Sequence, residues 1–198
     1  MSVRKANVRR KTRETNISVS VKIGGSGILK GATGIGFFDH MLELLARHSL
    51  IDLSLKAQGD LKVDAHHTVE DVGIVLGQAL DKALGQRKGI RRYGWAVIPM
   101  DEALAEVAID LGGRPYFAYR VKLPGPKAKV GNFDVELVQE FFQALAFNAK
   151  MNLHMTLRSG KNLHHISEAL FKCFARAFDQ AVSIDDRVRD VPSTKGTI

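Results

Sequence analysis

His66-His67-Thr68-Val69-Glu70 returns 98 residues later as His164-His165-Ile166-Ser167-Glu168, and this duplication decides how the rest of the chain is read. Beyond each copy the apolar residues keep step at the same offset: Val72 is matched by Leu170, Leu76 by Phe174, Ala79 by Ala177, Leu80 by Phe178, and Gly77 by Ala175. Recurrence at three- and four-residue intervals predicts long amphipathic helices over 66–84 and 162–182.

Working outward, residues 15–23 alternate like a half-buried strand, and Gly24-Gly25-Ser26-Gly27 turns the chain into a second short strand from Ile28, so a hairpin is expected to open the fold. A helix over 37–48 and a strand over 51–57 complete the approach to the first motif. Before the second motif come strands over 104–111 and 116–121 around the Gly112-Gly113-Arg114-Pro115 turn, a helix over 133–148 and a strand over 151–159. Each half, about 8–90 and 91–190, therefore reads strand, strand, helix, strand, helix. The expected class is α+β, one pseudo-symmetric domain over 1–198 with its helices packed together between two four-stranded sheets. The Pro/Gly-rich stretch 123–131 falls inside the second half and reads as a mobile connection, not a domain boundary.

Composition narrows the classes. With 198 residues, 45% hydrophobic and 25% charged, the chain is long enough for a core without covalent staples. Its single cysteine, Cys173, cannot form an internal disulfide, which points to a reducing, cytoplasmic setting. No apolar run approaches the roughly 20 residues needed to span a bilayer, so no membrane partner is expected. The net charge of +8 is concentrated in the first 15 residues, where Arg4, Lys5, Arg9, Arg10, Lys11 and Arg13 face only Glu14. Aromatics do not interleave with those cations, so the segment reads as a solvated basic arm and nucleic acid is not an expected partner.

The chemistry lies in the repeat. Residues at i and i+4 share a helix face, so His66 with Glu70 and His164 with Glu168 each present an imidazole beside a carboxylate. His67 and His165 sit about 100° further round, available to a second ion or a facing helix. One His-His-x-x-Glu arises by chance in roughly one chain per hundred, and a second at a matched helix start is far rarer, which favours two metal sites over a repeated structural feature. Imidazole and carboxylate donors suit manganese, iron or zinc without choosing among them. Further ligands are sought at His40 and, by aligning the helix from Phe37 with that from Phe133, at Glu140. Asp71 is a candidate to orient a ligand imidazole, and His48 and His154 read as core or supporting residues. Gly73 and Gly77 would let another helix or a ligand approach closely. A second constellation suits phosphate: Arg92, Arg114 in its turn, and the Ser193-Thr194-Lys195-Gly196 tail. Neither a P-loop nor a Gly-x-Gly-x-x-Gly helix start is present, which disfavours nucleotides.

Taken together the motifs resemble the imidazoleglycerol-phosphate dehydratase family. The resemblance runs end to end: Arg10-x-Thr12-x-Glu14-Thr15; Gly34-Ile35-Gly36-Phe37-Phe38-Asp39-His40-Met41-Leu42; His66-His67-Thr68-Val69-Glu70-Asp71-Val72-Gly73; Arg92-Tyr93-Gly94; Pro99-Met100-Asp101-Glu102; Gly113-Arg114-Pro115-Tyr116; His164-His165-x-x-Glu168; and Pro192-Ser193-Thr194-Lys195-Gly196. It implies dehydration of imidazole glycerol phosphate to imidazole acetol phosphate through an imidazolate, with two manganese ions per active site. It also implies trimers assembling into a twenty-four-subunit shell, with sites between subunits. Carried over by position, His40, His67, His164 and Glu168 would hold one ion, and His66, Glu70, His165 and Glu140 the other, with His154 the alternative to Glu140. Glu14, Arg92, Arg114, Lys172, Ser193 and Lys195 match substrate-contacting positions, and the base is either Glu14 or a metal-bound carboxylate. Two other classes would use similar residues: a binuclear hydrolase, which would release phosphate, and a metal-dependent assembly or nucleic-acid-binding protein without turnover.

Overall fold

A computed structural model describes residues 3–198 apart from 124, 126 and 127. Strands β1 (Lys5–Lys11) and β2 (Thr15–Lys22) form an antiparallel hairpin running from Lys5 opposite Lys22 to Lys11 opposite Asn16. Strand β4 (Asp52–Gly59) lies antiparallel to β2, and the two-residue β3 (Leu29–Lys30) is parallel to β4, giving the order β1-β2-β4-β3. The second sheet repeats this scheme with β5 (Tyr93–Met100), β6 (Ala103–Asp110), β10 (Asn152–Ser159) and β7 (Tyr116–Arg120): order β5-β6-β10-β7, with the last pair parallel. A small hairpin, β8 (Lys129–Val130) with β9 (Phe133–Asp134), is inserted only in the second half.

Four helices fill the space between the sheets: α1 (Gly36–Ser49), α2 (His66–Leu84), α3 (Leu137–Asn148) and α4 (Leu163–Val182). The expected α+β architecture of four helices and two four-stranded sheets is the one observed. Helix α2 lies on β1 and β2, and α4 on β5 and β6, while α1 packs on α4 and α3 on α2. Each short helix thus rests on the long helix of the opposite half, and one apolar cluster runs from Val8 to Val182. Its middle is a chain of rings, Phe38 to Phe141 (5.2 Å), Phe141 to Phe171 (5.4 Å), Phe171 to Phe142 (4.7 Å) and Phe142 to Phe174 (5.1 Å), that ties α1, α3 and α4 together.

Backbone packing explains two of the glycines. A side chain at Gly73 would meet the Phe141 carbonyl oxygen at 2.7 Å, and one at Gly77 the Leu145 carbonyl oxygen at the same distance, so the close approach is taken by helix α3. The repeat also extends to the backbone: Leu50 and Lys150, the residues after α1 and near the end of α3, both adopt the left-handed conformation at φ 55° and 51°. Residues 41–50 and 141–150 follow the same sequence of buried and exposed positions, which supports the register pairing His40 with Glu140.

Several sequence expectations are corrected. The opening hairpin is β1 with β2, so most of the basic leading segment is a strand and not a free arm; the strand near Ile28 pairs with β4 instead. Alternation in β1 is disguised because Arg10 faces inward, where its guanidinium meets the buried Asp71. β5 escapes notice for the opposite reason: Tyr93, Trp95 and Val97 are exposed while Ala96 and Ile98 are turned to the core, so both faces are apolar and no alternation shows. β7 pairs with β10, not with β6 across the Gly112-Gly113 turn. Of the 123–131 connection, residues 124, 126 and 127 lie outside the described residues.

Candidate metal centre and anion groove

Both histidine motifs sit at helix starts whose free backbone donors are capped. Asp64 accepts the His66 backbone N–H (2.8 Å), and the Asn162 side chain accepts those of His164 (2.9 Å) and His165 (3.3 Å). In the first turn of α1, Asp39 accepts from both the backbone and hydroxyl of Thr33 (2.6 and 2.7 Å), which ties the preceding loop to the turn that presents His40.

At the α1/α4 contact His40 Nε2 and His164 Nε2 each lie 3.0 Å from Glu168 Oε1. These three form the one group of convergent metal-type donors among the described residues, their ligand atoms all within 4.8 Å of one another. Phe37 sets its ring against the edge of His164 at 5.2 Å. Lys172, one turn along α4, donates to Glu168 Oε2 at 2.5 Å. Burial on its own would raise the Glu168 carboxyl, but hydrogen bonds from Lys172, His40 and His164 reverse this and bring it to about 2.

The partner set on α2 is more open. His66 Nε2 is 3.9 Å from Glu70, and both side chains are 45% exposed. His67 Nδ1 contacts Asp60 Oδ2 at 3.0 Å, with Glu14 4.0 Å from Nε2. On α4, His165 Nδ1 contacts Glu102 Oε2 at 2.7 Å, with Asp101 3.6 Å from Nε2. The Asp60 hydrogen bond holds His67 above the ordinary histidine value, and the Glu102 bond does the same for His165. Glu102 falls to about 2, chiefly through His165 and then the backbone N–H groups of Asn162 and Lys161. No hydrogen bond, ion pair or ring contact among the described residues joins the α2 motif to the α4 motif.

The remaining candidates are placed as follows. Glu140 lies half-exposed in the first turn of α3. His154 stands on the outer face of the second sheet, its ring 5.5 Å from Tyr116. His48, near the end of α1, is lowered by burial and by Lys172, Arg176 and Arg47. Asp71 does not orient a histidine: it is buried and taken by Arg10 and the Thr15 hydroxyl, because its place on α2 faces the β1–β2 hairpin. Phe37 and Glu102 lie within the family-like motifs but carry no spacing that assigns them a role, and nothing in the sequence around Asp60 marks it.

Four of the phosphate candidates share one groove of about 780 Å³, lined by Arg92, Arg114, Ser193 and Lys195 together with the Gly112-Gly113 turn. Arg92 is held there by Asp110 (2.7 and 3.1 Å) and by the Pro192 carbonyl (2.8 Å). The tail turns on itself, with Lys195 N–H donating to the Ser193 hydroxyl (3.2 Å) and Gly196 N–H to the Ser193 carbonyl (3.0 Å). Lys172 does not line the groove, and Glu14 sits apart from it at the β1–β2 turn.

Fold and site together define a duplicated α+β protein with a His/Glu donor set and an arginine-walled groove. A family model described as imidazoleglycerol-phosphate dehydratase matches residues 33–178. The chain is 57% identical over 195 residues to the imidazoleglycerol-phosphate dehydratase of Geobacter sulfurreducens (98% of this chain, 99% of that one), and equally identical over the same length to that of Acetivibrio thermocellus. Among solved structures, the dehydratase of Staphylococcus aureus superposes with a TM-score of 0.82 at 40% identity, covering 91% of this chain and 99% of that one. The Pyrococcus furiosus enzyme does so with 0.81 at 37%, covering 96% and 100%. The chain belongs to the imidazoleglycerol-phosphate dehydratase family, and its activity is that of a hydro-lyase in histidine biosynthesis. No helix among the described residues is long and apolar enough to cross a membrane.

Proposed function

We propose that the protein dehydrates imidazole glycerol phosphate to imidazole acetol phosphate at a two-manganese site built between subunits. The observation that carries this reading is the convergence of His40, His164 and Glu168 on one point, a nitrogen and oxygen donor set that fits manganese. By the family resemblance, His67 of another copy would complete that set, and His66, Glu70, His165 and Glu140 would hold the second ion. Bound manganese would supply Lewis-acid stabilisation of negative charge on the substrate's imidazole ring, the imidazolate of the reaction.

The chain's own residues would do the rest. Arg114 offers a planar fork for the phosphate, Arg92, whose own fork is taken by Asp110, adds the outer edge of its guanidinium, and Ser193 and Lys195 add a hydroxyl and an ammonium. The hydroxyl would leave from the carbon next to the ring, and Glu14, exposed beside His67, would take the proton from the neighbouring hydroxyl-bearing carbon; proton and hydroxide depart together as water, and the resulting enol becomes the ketone of imidazole acetol phosphate. Assembly into trimers and a twenty-four-subunit shell is consistent with the exposed aromatic face of the second sheet, where Tyr93, Trp95, Val97 and Tyr116 are all about half exposed or more.

The test is an add-back assay on metal-stripped protein. Manganese-dependent formation of imidazole acetol phosphate supports the reading, while release of inorganic phosphate would make the protein a hydrolase. Glu14→Gln is expected to lower kcat by at least about 100-fold, within the range contributed by a positioned base; near-normal turnover would remove Glu14 from that role.

A further inference from the structure

We propose that Asp60 and Glu102 are positioning residues that lock His67 and His165 as ligands, each by holding the ring through Nδ1. This rests on the two-metal reading above and deepens it. The same ring nitrogen of the same motif residue is captured in both halves: His67 Nδ1 by Asp60 at 3.0 Å, His165 Nδ1 by Glu102 at 2.7 Å.

The two carboxylates are not copies of each other. Asp60 follows β4, and the register pairing 50 with 150 puts Gly160 at the corresponding place after β10. Glu102 is in the β5–β6 turn, and the residue before β2 at the corresponding place is Glu14. Duplication therefore did not carry the contact across. Each half reaches the same hydrogen bond from a different element, which is what a requirement of the imidazole would produce.

A carboxylate only accepts, so the neutral ring keeps its proton on Nδ1 and its lone pair on Nε2. Nε2 makes no hydrogen bond in either case among the described residues; Glu14 stands 4.0 Å and Asp101 3.6 Å away. Glu102 is itself anchored, since its other oxygen accepts the backbone N–H groups of Lys161 (3.1 Å) and Asn162 (2.8 Å) at the start of α4. The second oxygen of Asp60, by contrast, is buried without a partner. Glu102 holds its histidine to the helix start more rigidly than Asp60 does.

The test compares Asp60→Ala and Glu102→Ala with Asp60→Asn and Glu102→Gln, whose amide oxygens still accept from Nδ1. Manganese bound per subunit is measured on stripped protein by equilibrium dialysis and elemental analysis, alongside assembly state. The alanine variants are expected to bind about 10–100-fold more weakly, and the amide variants within a few-fold of the wild type. If an alanine variant does not fold, its amide counterpart carries the comparison, and an amide variant bound as weakly as expected for alanine overturns the proposal. Wild-type affinity in folded alanine variants also overturns it while leaving the two-metal reading intact. A wild type that binds no manganese removes both.

Discussion

Asp71 and Arg87 illustrate what a buried charge does in this molecule. Arg87 is 3% exposed and gives its guanidinium to Asp81 (2.7 Å) and to the carbonyls of Leu111 (2.8 Å), Ala149 (2.9 Å) and Lys150 (3.2 Å). It therefore bolts the end of α2 to the ends of β6 and α3, across the two halves. Arg87→Met leaves those carbonyls without a donor; because Lys150 still neutralises Asp81 at 2.7 Å, the loss is expected near the low end of the range for a broken buried pair, about 3 kcal/mol, read from chemical denaturation. Cys173 makes a pH prediction. Burial pushes its thiol from 9.0 up to about 12, with Sγ against the carbonyls of Ala96 (3.1 Å) and Ala105 (3.4 Å). Below pH 9 the thiol is neutral folded and unfolded, so it adds no pH dependence. Between about 9 and 12 only the unfolded chain ionises and binds fewer protons, so stability falls as pH rises through that window. Cys173→Ala should flatten this alkaline slope, and a disulfide reagent at pH 8 should label the thiol only after unfolding.

At the scale of elements, α2 against α3 sets two effects of Gly77 in opposition. Alanine in a helix interior gains about 1 kcal/mol over glycine. A Cβ at Gly77 would lie 2.7 Å from the Leu145 oxygen and 2.8 Å from the Asn148 Cβ, so helix α3 would have to move, and overpacking costs about 1–3 kcal/mol. Gly77→Ala is therefore expected to destabilise by about 1 kcal/mol net, and a higher denaturation midpoint would show that α3 yields more easily than the packing implies. The same elements explain what was legible beforehand. α2 is legible to the residue and α4 to within one, because their apolar positions recur at helical intervals and the inward-facing carboxylates of Asp71 and Glu168 do not break that period. β1 and β5 were missed where an inward Arg10 or an outward Trp95 broke the alternation that marks a strand. Among site residues, the i, i+4 pairs were visible because spacing alone puts them on one face. Asp60 and Glu102 were not, because their contacts depend on how a strand end and a turn lie beside a helix start. Glu102 did leave one trace, as the residue standing before β6 where Glu14 stands before β2.

At the scale of the whole molecule, the two histidine motifs belong to opposite halves, and no contact among the described residues unites them. Yet the proposed ligand sets, carried over from the family resemblance, need both, since His67 is assigned with His164, and His165 with His66. On that proposal one chain would supply half of each of two sites, and another copy the remainder. This makes a subunit-mixing experiment decisive. His66→Ala disables the α2 motif and His164→Ala the α4 motif, and each variant assembled alone should be inactive. In oligomers reassembled from equal amounts of both, a site is intact only when its α2 motif comes from the His164→Ala chain and its α4 motif from the His66→Ala chain. Random assembly from two kinds of chain in a closed symmetric oligomer makes that about one site in four. Recovery of about a quarter of wild-type turnover is the expected outcome, measured after confirming mixed assemblies by mass. If each site drew both motifs from a single chain, no mixture could restore one, and activity would stay at the level of the separate variants. The contrast between a quarter and nothing reads the location of the site directly, without requiring that either variant be otherwise perfect.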